Sequence, residues 1–269
     1  MARTLLLVGC GKMGGALLGG WLERDVDRTA VTVVEPQGGD AIRDRHGVAV
    51  VADAAALAGD YAPDVVTFAV KPQGMDGIVP AYRRFVRPGT VFLSIAAGRT
   101  IASFERHLGE RAAIVRSMPN TPAAVGRGIT VACPNRAVSP AQKTACHGLL
   151  EAVGEVAWVA DEALLDAVTA VSGSGPAYVF LLIECMAQAG VAAGLAPDLA
   201  ERLARATVIG SGELARQSAE PASTLRENVT SPGGTTEAAL ELLMGADGLR
   251  DLMTRAVAAA TRRSRDLAG

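Results

Sequence analysis

The chain has 269 residues, 49% hydrophobic but only 4% aromatic, with a formal net charge of −2. That length allows one large domain or two modest ones, with a core of Ala, Val, Leu and Ile rather than aromatic rings. The charge balance is near neutral and no basic stripe carries interleaved aromatics, which argues against nucleic acid as a partner.

Met1–Gly11 holds one Arg and a short apolar run that leads straight into glycines. It is expected to be a first strand, Thr4–Val8, rather than a signal peptide. Gly9-Cys10-Gly11-Lys12-Met13-Gly14 follows as G-x-G-x-x-G between that strand and a helix over Lys12–Leu22. In this setting Gly9 permits a tight turn, Gly11 a close pyrophosphate and Gly14 close helix–strand packing. The bland alternative is a glycine turn with no ligand. Met13, Ala16, Leu17, Gly20 and Trp21 share the expected buried face of the helix.

Further strands are expected at Val31–Val34, Val48–Val51, Val65–Val70, Val91–Ile95 and Ala113–Arg116. Ile129–Ala132 and Glu155–Val159 read as late, antiparallel edge strands. Continuous apolar strands alternating with helices predict a doubly wound α/β sheet covered on both faces. Glu35 ends the second strand, where a carboxylate accepts from the adenosine ribose and repels a 2′-phosphate. That tilts the cofactor toward NAD, although Arg43 and Arg45 could restore NADP. Glu35 could equally be a solvated strand end. Ala69-Val70-Lys71-Pro72 and Ser94-Ile95-Ala96-Ala97-Gly98 close two strands at their carboxyl ends, where small residues leave room for a cofactor. Lys71 reaches either the ribose or solvent.

After about Asp161 strand signals stop. Helices are expected over Asp161–Val171, Pro176–Ala193, Pro197–Gln217, Gly234–Met244 and Ala246–Asp266. This places a domain boundary near Ala160, with residues 1–160 binding a dinucleotide and 161–269 forming a helical part that pairs with a second copy. Ala177–Ala196 nearly reaches membrane-spanning length, but Glu184 and Gln188 lie four apart in its middle. It is read as a helix covered by a partner subunit, not as a membrane span. Cys10, Cys133, Cys146 and Cys185 show no metal or disulfide spacing, so packed thiols, no metal and a cytoplasmic location are expected.

Two segments of the helical part carry chemistry. Val171-Ser172-Gly173-Ser174-Gly175-Pro176-Ala177-Tyr178 is read as a small-residue loop before the long helix, with Ser174 as its N-cap and Pro176 in its first turn. Asn228–Thr236 reads N-V-T-S-P-G-G-T-T, with Pro232 at a first helical position and glycine amides open to an anion. A plain helix cap is the alternative for both. No Lys or His occurs after residue 147. The helical part therefore brings neither of these as a general acid or base, which suits an imine that arrives protonated better than a hydroxy acid.

Together Gly9–Gly14, A-V-K-P at 69–72, M-P-N-T-P at 118–122, S-G-S-G-P-A-Y at 172–178 and N-V-T-S-P-G-G-T-T at 228–236 resemble pyrroline-5-carboxylate reductase over nearly the whole chain. The resemblance implies reduction of 1-pyrroline-5-carboxylate to L-proline by NADPH or NADH, the last step of proline biosynthesis. It implies a Rossmann domain, a helical dimerisation domain and an active site that draws on both domains and both subunits of a homodimer or larger homo-oligomer. By position, Gly233, Gly234 and Thr235 would bind the substrate carboxylate and Thr236 the ring nitrogen, with Ser174 lining the pocket. Val70–Pro72 with Ala96 and Ala97 would hold the nicotinamide, with Asn120 and Thr121 nearby. Cys10 stands where alanine is common, and Glu35 departs from a strongly NADP-selective pattern. Whether Thr236 is catalytic or only binds stays open. A β-hydroxyacid dehydrogenase, which wants a lysine in its helical domain, and a redox-sensing nucleotide binder are the competing readings.

Overall fold

The computed structural model describes residues 3–268. They form two compact units: one runs to Gly173 and takes in the chain again from Ala260, and the other is Ser174–Ala259. In the first unit strands and helices alternate. They are β1 (Leu5–Val8), α1 (Lys12–Glu23), β2 (Val31–Val34), α2 (Gly39–His46), β3 (Ala49–Val51), β4 (Val65–Phe68), α3 (Met75–Ile78), β5 (Val91–Ser94), α4 (Ile101–Leu108), β6 (Ala113–Met118), β7 (Gly128–Pro134), α5 (Pro140–Glu151), β8 (Gly154–Trp158) and α6 (Leu164–Val168).

One sheet has the order β3-β2-β1-β4-β5-β6-β7-β8. β1 to β6 pair in parallel, β7 is antiparallel to β6, and β8 is parallel to β7. The last two strands thus oppose the others, as expected, but only β8 is an edge. Strand order reverses between β1 and β4, the point where open α/β sheets bind ligands at their carboxyl ends.

The fully buried strands β1, β4 and β5 explain the continuous apolar runs. On one face Leu17, Leu18 and Trp21 of α1 pack with Leu149 and Leu150 of α5, and Trp21 Nε1 donates to the Leu149 carbonyl at 2.8 Å. Leu18 is fully buried while Met13 and Ala16 are only half-buried, so the buried stripe is rotated from the face read off the sequence. On the other face four of the five phenylalanines, Phe68, Phe85, Phe92 and Phe104, gather with Tyr82. The few aromatics are therefore concentrated in one layer.

Leu165 of α6 is fully buried against Val131 and Cys133 of β7. That contact holds residues 161–173 to the sheet, although the sequence grouped them with the helical part. The expected loop at 171–178 is not a loop. The helix continues from α6 through a π-helical turn, Thr169–Gly173, into α7 (Gly175–Ala192). Pro176 explains the widening, because in a regular helix its ring would strike the carbonyl four residues back. Thr169 and Ser172 donate their hydroxyls to the carbonyls of Leu165 and Val168.

The second unit continues with α8 (Pro197–Gln217), α9 (Ala222–Asn228), α10 (Thr235–Leu243) and the start of α11 (Leu249–Ala268). α9 was not expected: its sequence, ASTLREN, has a single large apolar residue and no periodicity. No residue of α7 is buried, and only Ala200 and Ala204 of α8 are. Phe180, Leu181, Leu182, Leu203, Ile209 and Leu214 are exposed. The segment Leu164–Ala192 is long and apolar enough to cross a membrane by length and composition.

Candidate active site

β1 delivers Gly9 with φ +87°, a conformation that favours glycine, and its N–H donates to the Val34 carbonyl at 2.9 Å. A Cβ on Gly14 would stand 2.5 Å from the Gly9 carbonyl and 3.1 Å from the Ala69 Cβ, so α1 lies directly on the loop and on the end of β4. Gly11 is different: a Cβ there would meet nothing within 4 Å. The amides of Lys12 and Met13, in the first turn of α1, have no partner among the described residues. An open approach and free amides at a helix N-terminus fit a dinucleotide pyrophosphate. The third donor, Cys10 N–H, is taken by Glu35 Oε2 at 2.8 Å.

Because β1, β4, β5 and β6 are parallel, their following segments gather at one edge. These are Gly9–Gly14, Ala69–Pro72, Ile95–Gly98 and Pro119–Thr121. Val70 and Pro72 are half-buried and Lys71 is exposed. Ala97 is exposed, but Ala96 is 4% exposed and its methyl belongs to the aromatic core. Ala96 therefore shapes the edge from below. Asn120 is also committed: its Oδ1 accepts from Ile129 N–H at 2.9 Å and pins the turn after β6. Met118 fills the space beside Gly173, where a Cβ would stand 2.5 Å from its Cε. The M-P-N-T-P and S-G-S-G motifs are thus packing partners.

Two polar clusters at this edge were not read from the sequence. Asp76 accepts from Arg99 and lies 2.9 Å from His107 Nε2, tying the segments after β4 and β5 together. Arg116, 5% exposed, donates to Glu162 Oε1 at 2.8 Å, and the same oxygen accepts from Ile101 N–H at 2.8 Å. Glu162 so neutralises a buried guanidinium and caps α4. Nothing local in sequence marks either cluster, whose members are separated by 23 to 61 positions.

In the second unit Asn228 ends α9, and Ser231–Gly234 form a β-turn closed by Gly234 N–H to the Ser231 carbonyl at 3.0 Å. Pro232 holds its second position and Gly233, at φ +70°, its third, which is the type II pattern. The expectation of Pro232 inside the helix is corrected, since α10 starts three residues later with Gly234 as N-cap. The Gly233 amide is also taken, donating to Glu237 Oε2 at 2.6 Å. The amides of Thr235 and Thr236 have no partner among the described residues. Thr236 is half-buried and Thr235 exposed. Ser174 sits at the N-cap position of α7 but with helical φ and ψ and no capping bond from its side chain.

All four cysteines are free. Burial pushes the Cys146 thiol up to about 12 and raises Cys10, whose second cause is the Glu35 charge. No group of three or more His, Cys, Asp or Glu able to hold a metal occurs among the described residues.

Known proteins give these features a context. Residues 162–267 match the family model for pyrroline-5-carboxylate reductase dimerisation, and residues 4–98 match a model described as NADP oxidoreductase coenzyme F420-dependent. A pyrroline-5-carboxylate reductase of Pseudomonas aeruginosa is 40% identical over 266 residues, covering 98% of this chain and 96% of the relative. One from Mycobacterium tuberculosis is 39% identical, covering 99% and 97%. The solved pyrroline-5-carboxylate reductase of Coxiella burnetii superposes with a TM-score of 0.93 at 33% identity over the whole of both chains. That of Plasmodium falciparum, solved with NADP bound, gives 0.83 at 29% identity, covering 99% and 98%. The chain therefore belongs to the pyrroline-5-carboxylate reductase family of NAD(P)H-dependent oxidoreductases.

Proposed function

We propose that this chain reduces 1-pyrroline-5-carboxylate to L-proline as the last step of proline biosynthesis, and that its residues act by orientation and electrostatics rather than by proton transfer. The observation that carries the reading is the α10 N-terminus. It offers free amides at Thr235 and Thr236 and a hydroxyl at Thr236, in a stretch of chain without Lys or His. Those amides suit the substrate carboxylate, with Gly234 placing them through the turn. Gly233 can join only where Glu237 yields its amide. The Thr236 hydroxyl hydrogen-bonds the ring nitrogen, and Ser174 lines the pocket.

Gly9 to Gly14, with Glu35, hold the adenosine and pyrophosphate, and Ala69–Pro72 with Ala96, Ala97 and Asn120 shape the nicotinamide end. When bound, the reduced nicotinamide supplies the hydride to an imine carbon that is already activated by nitrogen protonation. The side chains then need only hold the imine in register. Residues 1–160 serve the cofactor, and 161–269 serve substrate and assembly.

A homo-oligomer follows from the dimerisation family, and we infer a dimer or an assembly of dimers. The exposed apolar residues of α7 and α8 favour a second copy as their cover over a membrane, and Glu184 interrupts the apolar run. The net charge of −2 gives nucleic acid no foothold, and a cytoplasmic enzyme fits the free thiols.

Thr236→Ala tests the ring-nitrogen role. It is expected to lower kcat about two- to tenfold, the worth of one hydrogen bond, with an unchanged melting temperature. Full activity in that variant contradicts the role.

A further inference from the structure

We propose that this protein takes NADH in preference to NADPH and that Glu35 makes the choice, an inference that rests on the dinucleotide reading of Gly9–Gly14. Glu35 directly follows β2, and its carboxylate is held from two sides. Oε2 accepts from Cys10 N–H at 2.8 Å and Oε1 from Gln37 N–H at 3.3 Å. The Glu35 N–H in turn donates to the Val51 carbonyl at 3.0 Å, which fixes the backbone beneath it. The negative charge is therefore fastened to the glycine loop itself. Each carboxylate oxygen keeps a lone pair, so a ribose 2′-hydroxyl can donate to it. A 2′-phosphate can only accept there, and its charge repels the carboxylate.

Two of the cations that could offset the repulsion are partly held elsewhere. Arg28 Nε donates to the His46 carbonyl at 3.2 Å. Arg43 donates to Asp40 at 2.6 Å and to the Val50 carbonyl at 3.4 Å. Arg45 makes no ion pair among the described residues. It lines, with Cys10, Gly11 and Lys12, a cavity of about 920 Å³ along α1. Lys12, in the same lining, also makes no ion pair among the described residues, so both cations can meet the cofactor's phosphates, but neither is hydrogen-bonded in place as the Glu35 carboxylate is. The charge fastened to the glycine loop is therefore negative, and it favours the cofactor that has a hydroxyl at this point. The NADP in the Plasmodium falciparum relative does not decide the matter for this chain.

Glu35→Gln isolates the charge, because a Gln oxygen can still accept from Cys10 N–H. The test is a calorimetric titration of the substrate-free protein with NADH and with NADPH, for the natural chain and for E35Q. NADH is expected to bind at least about tenfold tighter than NADPH, ~1.4 kcal/mol. In E35Q the gap should close mainly through tighter NADPH binding. Equal or tighter NADPH binding by the natural chain overturns the proposal, as does an unchanged ratio in E35Q. The ratio in the natural chain decides alone if E35Q does not fold. Proline formation with either cofactor can persist while this proposal fails. Absence of binding by both cofactors instead removes the dinucleotide reading beneath it.

Discussion

Asp76 shows how single side chains hold the cofactor edge in shape. Its carboxyl is lowered from the ordinary 3.8 to about 2, first by the hydrogen bond from Arg99 and then by that from His107. A carboxylate with a depressed folded pKa stabilises the fold above its unfolded pKa, and that contribution is lost as pH falls through the folded value. The natural protein should therefore lose stability between about pH 4 and pH 2, and Asp76→Asn should flatten that segment of the melting-temperature profile. An unchanged profile would show that the Asp76 cluster contributes nothing to stability. Gly9, Gly11 and Gly14 could be read from spacing alone, because each answers to a local need of the turn. The partners of Glu35, Asp76 and Glu162 could not, because they are set by which loops the sheet brings together.

Among elements, the strands were legible to within about two residues, since burial on both faces leaves uninterrupted Val, Leu and Ile. The π-helical turn was not. Small residues and a proline mark a break in regular helix, and the same letters serve a loop or a widened turn. α6 depends on Leu165, which is fully buried between Val131 and Cys133. Leu165→Ala should cost about 2–5 kcal/mol by urea unfolding. A cost below about 0.5 kcal/mol, the range of surface substitutions, would contradict that anchoring role.

The whole molecule divides its labour unevenly. The sheet unit buries two extensive apolar layers. In the second unit Phe180, Leu181, Leu203 and Ile209 remain exposed, as expected of a chain that completes its core with another copy. The sequence already suggested this through the apolar stretch Ala177–Ala196, read as a helix covered by a partner subunit. It could not place the turn at Ser231–Gly234, which leaves the open amides of the α10 N-terminus at Thr235 and Thr236. The proposed reaction, reduction of a protonated cyclic imine without a side-chain acid, asks no more of such a scaffold than orientation and charge. Its most direct test is to mix the purified oligomer with 1-pyrroline-5-carboxylate and NADH or NADPH, and to follow nicotinamide absorbance and proline together. One proline should form for each reduced cofactor consumed. Cofactor binding without proline formation under either cofactor would contradict it and leave a nucleotide sensor.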